Sequence, residues 1–205
     1  LHAVEPEALR SEGSVRHKER MLSTEKAYTE EALKRFVERV EKAALSIGRA
    51  TLFRVTPKLD GMAGKDQDGV LASRGNGVVG NDITHIFERG VVALGGRGLG
   101  PGEIVMRLSY FERYFKDEFV HPRNMVTGVV NADEINVSSQ RALDDGIIHF
   151  VPYATMKAWE GSGEELIARI GEITAELSDI DYPLDGMVAE ATDSALKAHM
   201  GATSH

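Results

Sequence analysis

The string Thr56-Pro57-Lys58-Leu59-Asp60-Gly61 holds the strongest chemical potential in this sequence. A lysine amine is a covalent nucleophile only when its pKa is brought from about 10.4 towards neutrality. A strand end at the floor of a pocket supplies the desolvation for that, and nearby cations add to it. Asp60 reads as a turn-forming residue hydrogen-bonded to its own backbone. Gly61 lets the chain turn tightly and admits a ligand close to the backbone. The competing reading of the whole string is a surface strand end followed by a turn.

Other residues can contribute chemistry. Arg74 reads plainly as a solvated hairpin charge. Glu103 lies in an otherwise apolar run, where a carboxylate is costly unless paired, so a site role is favoured. Tyr153 is an aromatic in an apolar strand, which is ordinarily simple core. Arg123 is a further basic side chain. The histidines are scattered and show no metal-ligand spacing, so no metal ligands are assigned. Asp66 and Asp68 read as hairpin-turn residues rather than a calcium loop.

Elements must position these groups. Residues 29–47 read as an amphipathic helix: Thr29 is the N-cap, Glu30 and Glu31 fill the first turn, and Leu33, Phe36, Val37, Val40 and Ala44 form the apolar stripe. Gly48 suits its stop. Ser109-x-x-Glu112 and Ser162-x-x-Glu165 both read as capping boxes. The second opens a helix with Leu166, Ile167, Ile170, Ile173 and Leu177 inward. Residues 51–56 alternate as a strand, and 59–65 with 70–73 form a hairpin. Further strands are expected at 103–106, 147–151 and 184–189. This order predicts an α+β fold with mainly antiparallel sheets and flanking helices.

Bulk composition bounds the partners. The chain has 205 residues with 42% hydrophobic and 27% charged residues, ordinary for a globular protein. No run approaches the roughly 18 apolar residues of a membrane span. The first 20 residues are charged and carry no apolar signal core, so a cytoplasmic location is the default expectation. With no cysteine, this chain has no disulfide, thiolate zinc site or cysteine nucleophile. A net charge of −8 argues that a grip on nucleic acid needs a local basic face or other domains.

The order of strings along nearly the whole chain resembles the adenylation domain of NAD-dependent DNA ligases. His17-Lys18-Glu19-Arg20-Met21-Leu22-Ser23 is similar to the family's His-x-x-Pro-Met-Leu-Ser, and Lys58-Leu59-Asp60-Gly61 matches its nucleophile motif. Ser73-Arg74-Gly75-Asn76-Gly77 with Gly80-Asn81-Asp82-Ile83-Thr84 resembles Thr-Arg-Gly-Asp-Gly and Gly-Glu-Asp-Val-Thr. Gly102 to Met106, Pro122-Arg123-Asn124 with Gly128, Phe150 to Tyr153, and Leu184 to Val188 resemble the remaining motifs in order. The resemblance implies the nucleotidyltransferase fold, with residues 1–205 as a single adenylation domain: a lead-in at 1–20 and a core at 21–205. It implies that Lys58 attacks the α-phosphate to become lysyl-AMP and that Asp60 orients the lysine or the ribose. Arg74 would bind nucleotide and Glu103 the ribose or metal. Tyr153 and Val188 would enclose adenine, Ser23 would line the pocket edge, and Arg123 would reach phosphate or DNA. NAD is the implied substrate, with ATP the alternative, and Mg2+ the implied metal. Nicked duplex DNA would be held largely by domains outside this chain, with the protein a monomer.

The sequence also departs from the family. Thr56 stands where a glutamate precedes the lysine, and Ala189-Glu190 stand where a lysine follows the Asp-Gly-x-Val string. The chain stops before the strand carrying a second family lysine, and only about 20 residues precede Met21. It therefore reads as a fragment or a compact viral-type version, expected to bind adenosine ligands, to self-adenylylate poorly and to fail at nick sealing alone. The alternatives are an ATP-dependent DNA or RNA ligase, a capping-type enzyme, or a non-catalytic nucleotide-binding relative.

Overall fold

A computed structural model describes residues 13–17 and 29–202, so Ser23 and most of the string around it lie outside the described residues. In chain order the elements are β1 (Ser14–Arg16), α1 (Glu30–Ser46), β2 (Phe53–Leu59), β3 (Met62–Gln67), β4 (Val70–Ser73), β5 (Val79–Asn81), α2 (Ile86–Arg89), β6 (Val92–Ala93) and β7 (Gly100–Met106). They continue with α3 (Leu108–Tyr114), α4 (Pro122–Asn131), α5 (Val137–Asp144), β8 (Ile148–Pro152), a 3-10 turn (Tyr153–Thr155), β9 (Trp159–Gly161), α6 (Gly163–Leu177), β10 (Leu184–Ala191) and α7 (Ser194–Ala202). The fold is α+β with antiparallel pairing, apart from the parallel pair β6–β8. No helix among the described residues is long and apolar enough to cross a membrane.

The expected single domain divides into two compact units. The first holds residues 13–17, 59–156 and 181–183 of those described, and the second holds 29–58, 157–180 and 184–202. In the first, a five-stranded sheet runs in the order β4-β3-β7-β8-β6, beside a two-stranded pair of β1 and β5. Its core joins Leu71, Ile104, Met106, Ile148 and Phe150 from the strands to Met125, Val126 and Val129 from α4. Each is at most 1% exposed, so this sheet face is dry. Pro122 opens α4, where its missing N–H costs nothing. The hairpin between β3 and β4 turns on Asp68 and Gly69, at φ 55° and 83°, a pair of left-handed residues that matches strand twist.

In the second unit, β2 is the middle strand of the order β10-β2-β9. Helices α1 and α6 bury Leu33, Val37, Val40, Leu166 and Ile173 with Phe53 and Val55 of β2. The expected caps hold for both helices. Thr29 Oγ1 accepts from Ala32 N at 3.1 Å, and Ser162 Oγ accepts from Glu165 N at 3.2 Å while Glu165 accepts from Ser162 N.

Two local expectations need correction. Ser109 is not an N-cap: α3 begins at Leu108, and Ser109 donates its N–H and its hydroxyl to the carboxylate of Asp181, at 2.8 and 2.7 Å. An acid 72 residues away does the capping that Glu112 was expected to share. Asp66 is not a turn residue either. It lies inside β3, fully buried, and accepts from Arg97 Nε at 2.8 Å, Arg97 Nη2 at 2.9 Å and Gly98 N at 2.8 Å. The guanidinium of Arg97 also lies 4.1 Å from the centre of the Phe87 ring. Turn chemistry was the wrong reason for Asp66; a buried charge with a bidentate partner is the right one.

Removing only Arg97 leaves a buried carboxylate with a single backbone donor. Arg97→Ala should therefore cost about 3 kcal/mol of unfolding free energy or more, against about 1 kcal/mol for the cap variant Ser162→Ala. Urea unfolding of both variants checks the order, and an Arg97→Ala penalty no larger than that of Ser162→Ala would contradict it.

Candidate active site

The candidate nucleophile sits on a strand that alternates strictly. Along β2 the residues Phe53, Val55, Pro57 and Leu59 are buried, while Arg54, Thr56 and Lys58 are half-buried on the other face. Because Phe53 and Val55 join the core of the second unit, Lys58 is turned away from that core. Its side chain is 24% exposed, and its Nζ lies 3.9 Å from Asp185 Oδ2 on the neighbouring strand β10. On β10, Met187, Ala189 and Ala191 pack into the core, which puts Val188 and Glu190 on the opposite face. Lys58 and Val188 thus share the non-core face of one sheet. Glu190, where the family resemblance implies a lysine, is paired with Lys197 of α7 at 3.3 Å.

The first unit holds Asp60, Arg74, Glu103, Arg123 and Tyr153. Glu103 is in β7, opposite Ala63 of β3 and Val151 of β8, and is 8% exposed. It has partners: the hydroxyl of Tyr153 donates to Oε2, and the Gly61 backbone also bonds to it. Tyr153 is not part of the apolar strand, as expected, but the first residue of the 3-10 turn after β8. There it is 37% exposed while its hydroxyl reaches inward, so its ring is open to a ligand rather than enclosed in the core. Gly61 is required for a reason the sequence alone did not suggest. A Cβ there would lie 2.0 Å from the carbonyl oxygen of Ile104, so the chain can pass this close to β7 only without a side chain.

Asp60 does not bond to its own backbone through its side chain. Arg123 Nη1 donates to Oδ1 at 3.0 Å, and His121 Nε2 lies 3.2 Å from Oδ2. Nδ1 of the same imidazole accepts from Arg123 N at 3.0 Å, which leaves Nε2 as the protonated, donating nitrogen. Residues 121–123 at the start of α4 therefore form one cradle for Asp60. His121 was missed in the sequence, where only its place before Pro122 signalled a helix cap. Arg74 follows β4, held by its N–H to the carbonyl of Ala63 at 3.1 Å. Its charge acts on both Glu103 and Tyr153. Among the described residues no group of three or more histidine, aspartate or glutamate side chains is arranged to hold a metal.

Burial sets the electrostatics. It pushes the Glu103 carboxyl up to about 7; the Tyr153 hydroxyl, the Gly61 backbone and Arg74 pull it down, and the nearby charge of Asp60 pushes it up. Burial, then Glu103 itself, pushes the Tyr153 hydroxyl far above its usual range, so it stays a donor. Near neutral pH Glu103 is therefore poised between accepting and donating hydrogen bonds.

Residues 11–89 match the family model of the NAD-dependent DNA ligase adenylation domain. Over its full length the chain is 54% identical to a DNA ligase of Desulfatibacillum aliphaticivorans and 40% identical to one of Psychromonas ingrahamii, covering 33% and 32% of those proteins. A Shewanella baltica DNA ligase is 37% identical over 98% of the chain and 32% of its own length. The chain is thus similar to that adenylation domain over residues 11–89 and to these DNA ligases over its own length. It spans about a third of the length of the curated relatives it matches.

The burial of Glu103 has a consequence for stability. A carboxyl whose folded pKa is raised binds more protons folded than unfolded, so its contribution falls as pH rises from about 4.5 to about 7 and is constant above that. Across this window the wild type should lose stability relative to Glu103→Gln by an amount on the order of 3 kcal/mol. Urea unfolding of both proteins at pH 4.5 and 7.5 measures it, and a difference independent of pH would refute the buried-carboxyl account.

Proposed function

We propose that this chain performs the adenylation step of an NAD-dependent DNA ligase, with Lys58 as the residue that takes AMP. The observation that carries this reading is the placement of Lys58 on the non-core face of a central strand, in the string that supplies Asp60 and Gly61 two and three residues later. In the reaction the unprotonated Lys58 Nζ attacks the α-phosphorus of NAD. A P–N bond forms, the P–O bond to the bridging oxygen breaks, nicotinamide mononucleotide leaves, and the amine loses a proton. Such a transfer relies on positioning and charge neutralisation more than on covalent help.

Each candidate residue has a part in this reading. Asp185 is the carboxylate nearest the Lys58 ammonium and can hold it before reaction. Within the first unit Glu103 and Tyr153 are suited to a ribose and to a face of adenine, and Arg74 to phosphate or ribose oxygens; within the second, Val188 is suited to cover a base. Ser23 would line the pocket edge. Asp60, held by Arg123 and His121, presents a fixed carboxylate to the ribose or the amine. Arg123 keeps spare donors for a phosphate, because one of its nitrogens suffices for Asp60. Mg2+ would ride on the nucleotide phosphates with one or two carboxylates, as that ion usually does. The completed protein would act as a monomer on nicked duplex DNA, with AMP passed on to the nick.

Intact-mass measurement tests the nucleophile. After incubation with NAD and magnesium the protein should gain one AMP, however slowly, whereas ATP and magnesium should give none. Lys58→Arg should gain none, since arginine keeps the charge without a usable lone pair, and its thermal unfolding should match the wild type. An AMP adduct on Lys58→Arg would remove Lys58 from this role. Tyr153→Ala should weaken AMP binding by on the order of 1 kcal/mol beyond the effect of the smaller buried area, and calorimetry that finds no weakening would refute the stacking role.

A further inference from the structure

Three consecutive residues, Asp181, Tyr182 and Pro183, belong to the first unit although the chain on both sides of them belongs to the second. They lie in the connection from α6 to β10, and each bonds to a different part of the first unit. Asp181 sits on the start of α3. Its carboxylate accepts from Ser109 N and Ser109 Oγ at 2.8 and 2.7 Å, and its carbonyl accepts from Leu108 N at 3.2 Å. Arg107 Nη1 lies 3.8 Å from the same carboxylate. Pro183 is buried, and its carbonyl accepts from Asp60 N at 2.9 Å.

The middle residue is anchored in the sheet. The Tyr182 hydroxyl lies 2.5 Å from Nδ1 of His149, a residue of β8 that is 5% exposed. Nε2 of that imidazole faces the carbonyl of Gly146 at 3.0 Å. A carbonyl can only accept, so Nε2 carries the proton and Nδ1 accepts from the phenol. Burial holds the His149 pKa down and pushes the Tyr182 hydroxyl up, which keeps the imidazole neutral and the phenol a donor. The two rings meet edge to face, 5.7 Å apart and at 81°. No step of the proposed chemistry uses either side chain. By anchoring to a buried histidine, Tyr182 fixes the place of the residue after it, whose carbonyl holds Asp60.

Asp60 is therefore held at two points. Arg123 and His121 orient its carboxylate, and the Pro183 carbonyl fixes its backbone. We propose that residues 181–183 are a strap that positions Asp60 for AMP transfer, with Tyr182 as the positioning residue. The proposal rests on the reading of Lys58 and Asp60 as parts of the adenylation site. Contacts one step behind a reacting group hold it in productive geometry, and a displacement of about 1 Å can cost on the order of 100-fold in rate.

Tyr182→Phe deletes only the anchoring hydroxyl, and two measurements on the 205-residue chain test the strap. Hydrogen exchange at the Asp60 amide should speed up by about tenfold, while amides inside β3 and β7 keep their wild-type rates. The rate of AMP addition at saturating NAD, read by intact mass, should fall on the order of tenfold, with the KM for NAD within about twofold of wild type. Should Tyr182→Phe fail to fold, Ser109→Ala removes a donor to Asp181 at an exposed position and should move both quantities in the same direction. Unchanged exchange at Asp60 overturns the strap, and so does faster exchange with an unchanged rate of AMP addition. A raised KM with an unchanged rate also overturns it, because Tyr182 would then serve nucleotide binding. If the wild type takes no AMP from NAD, the reading of Lys58 fails, and the strap stands or falls on exchange at Asp60 alone.

Discussion

A carboxyl group buried in the middle of a β-sheet must be given partners or be shifted towards its neutral form, and Glu103 shows both. Its surroundings account for much of the first unit's local architecture. Gly61 has to lack a side chain so that its backbone can close against β7 and reach the carboxyl. Tyr153 has to leave β8 in a 3-10 turn so that its hydroxyl points inward while one side of its ring stays open. Arg74 has to follow β4 directly, where its charge reaches both groups. Each of these residues stands at or just beyond the end of a strand in the same sheet, so the sheet register fixes their spacing more rigidly than loops could.

The second unit solves a simpler problem by a simpler means. Strict alternation along β2 places hydrophobic side chains in the core and leaves Lys58 on the other face. The same alternation on β10 puts Val188 and Glu190 on that face and Met187 and Ala189 in the core. The chain passes from one unit to the other between Lys58 and Leu59. Lys58 and the Asp60-Gly61 pair thus belong to different packing environments although only one residue separates Lys58 from Asp60. The Lys197 partner of Glu190 gives that acid a structural use at a position where the family resemblance implies a cation.

Charge is distributed unevenly in the first unit. Asp60, Asp66 and Asp181 each hold a long-range partner or a helix start, and each would be destabilising if left alone in its setting. Arg113 and Arg141 flank the ring of Tyr114, with guanidinium groups 5.2 and 4.3 Å from its centre.

The sequence by itself determined whatever depends on residues within a few positions of each other. The stripe and Thr29 cap of α1, the capping box of Ser162 and Glu165, the hairpin at Asp68-Gly69, the alternation over residues 51–56 and the α+β order were all readable. Each is fixed by local geometry and by a hydrophobic period of 3.6 or 2. The ordered motifs around Lys58-Leu59-Asp60-Gly61 were readable for the same reason, being contiguous strings. Only the tertiary structure decided who partners whom. Asp66 and Arg97 are 31 residues apart, Asp60 and Arg123 are 63, and Ser109 and Asp181 are 72. No spacing rule links such pairs, so Asp66 passed for a turn residue and Ser109 for a cap. For Asp66 the cost of burying an unpaired charge selects the partner, and that cost exists only once the chain has folded and water has been excluded; the other two pairs meet because the fold brings their elements together.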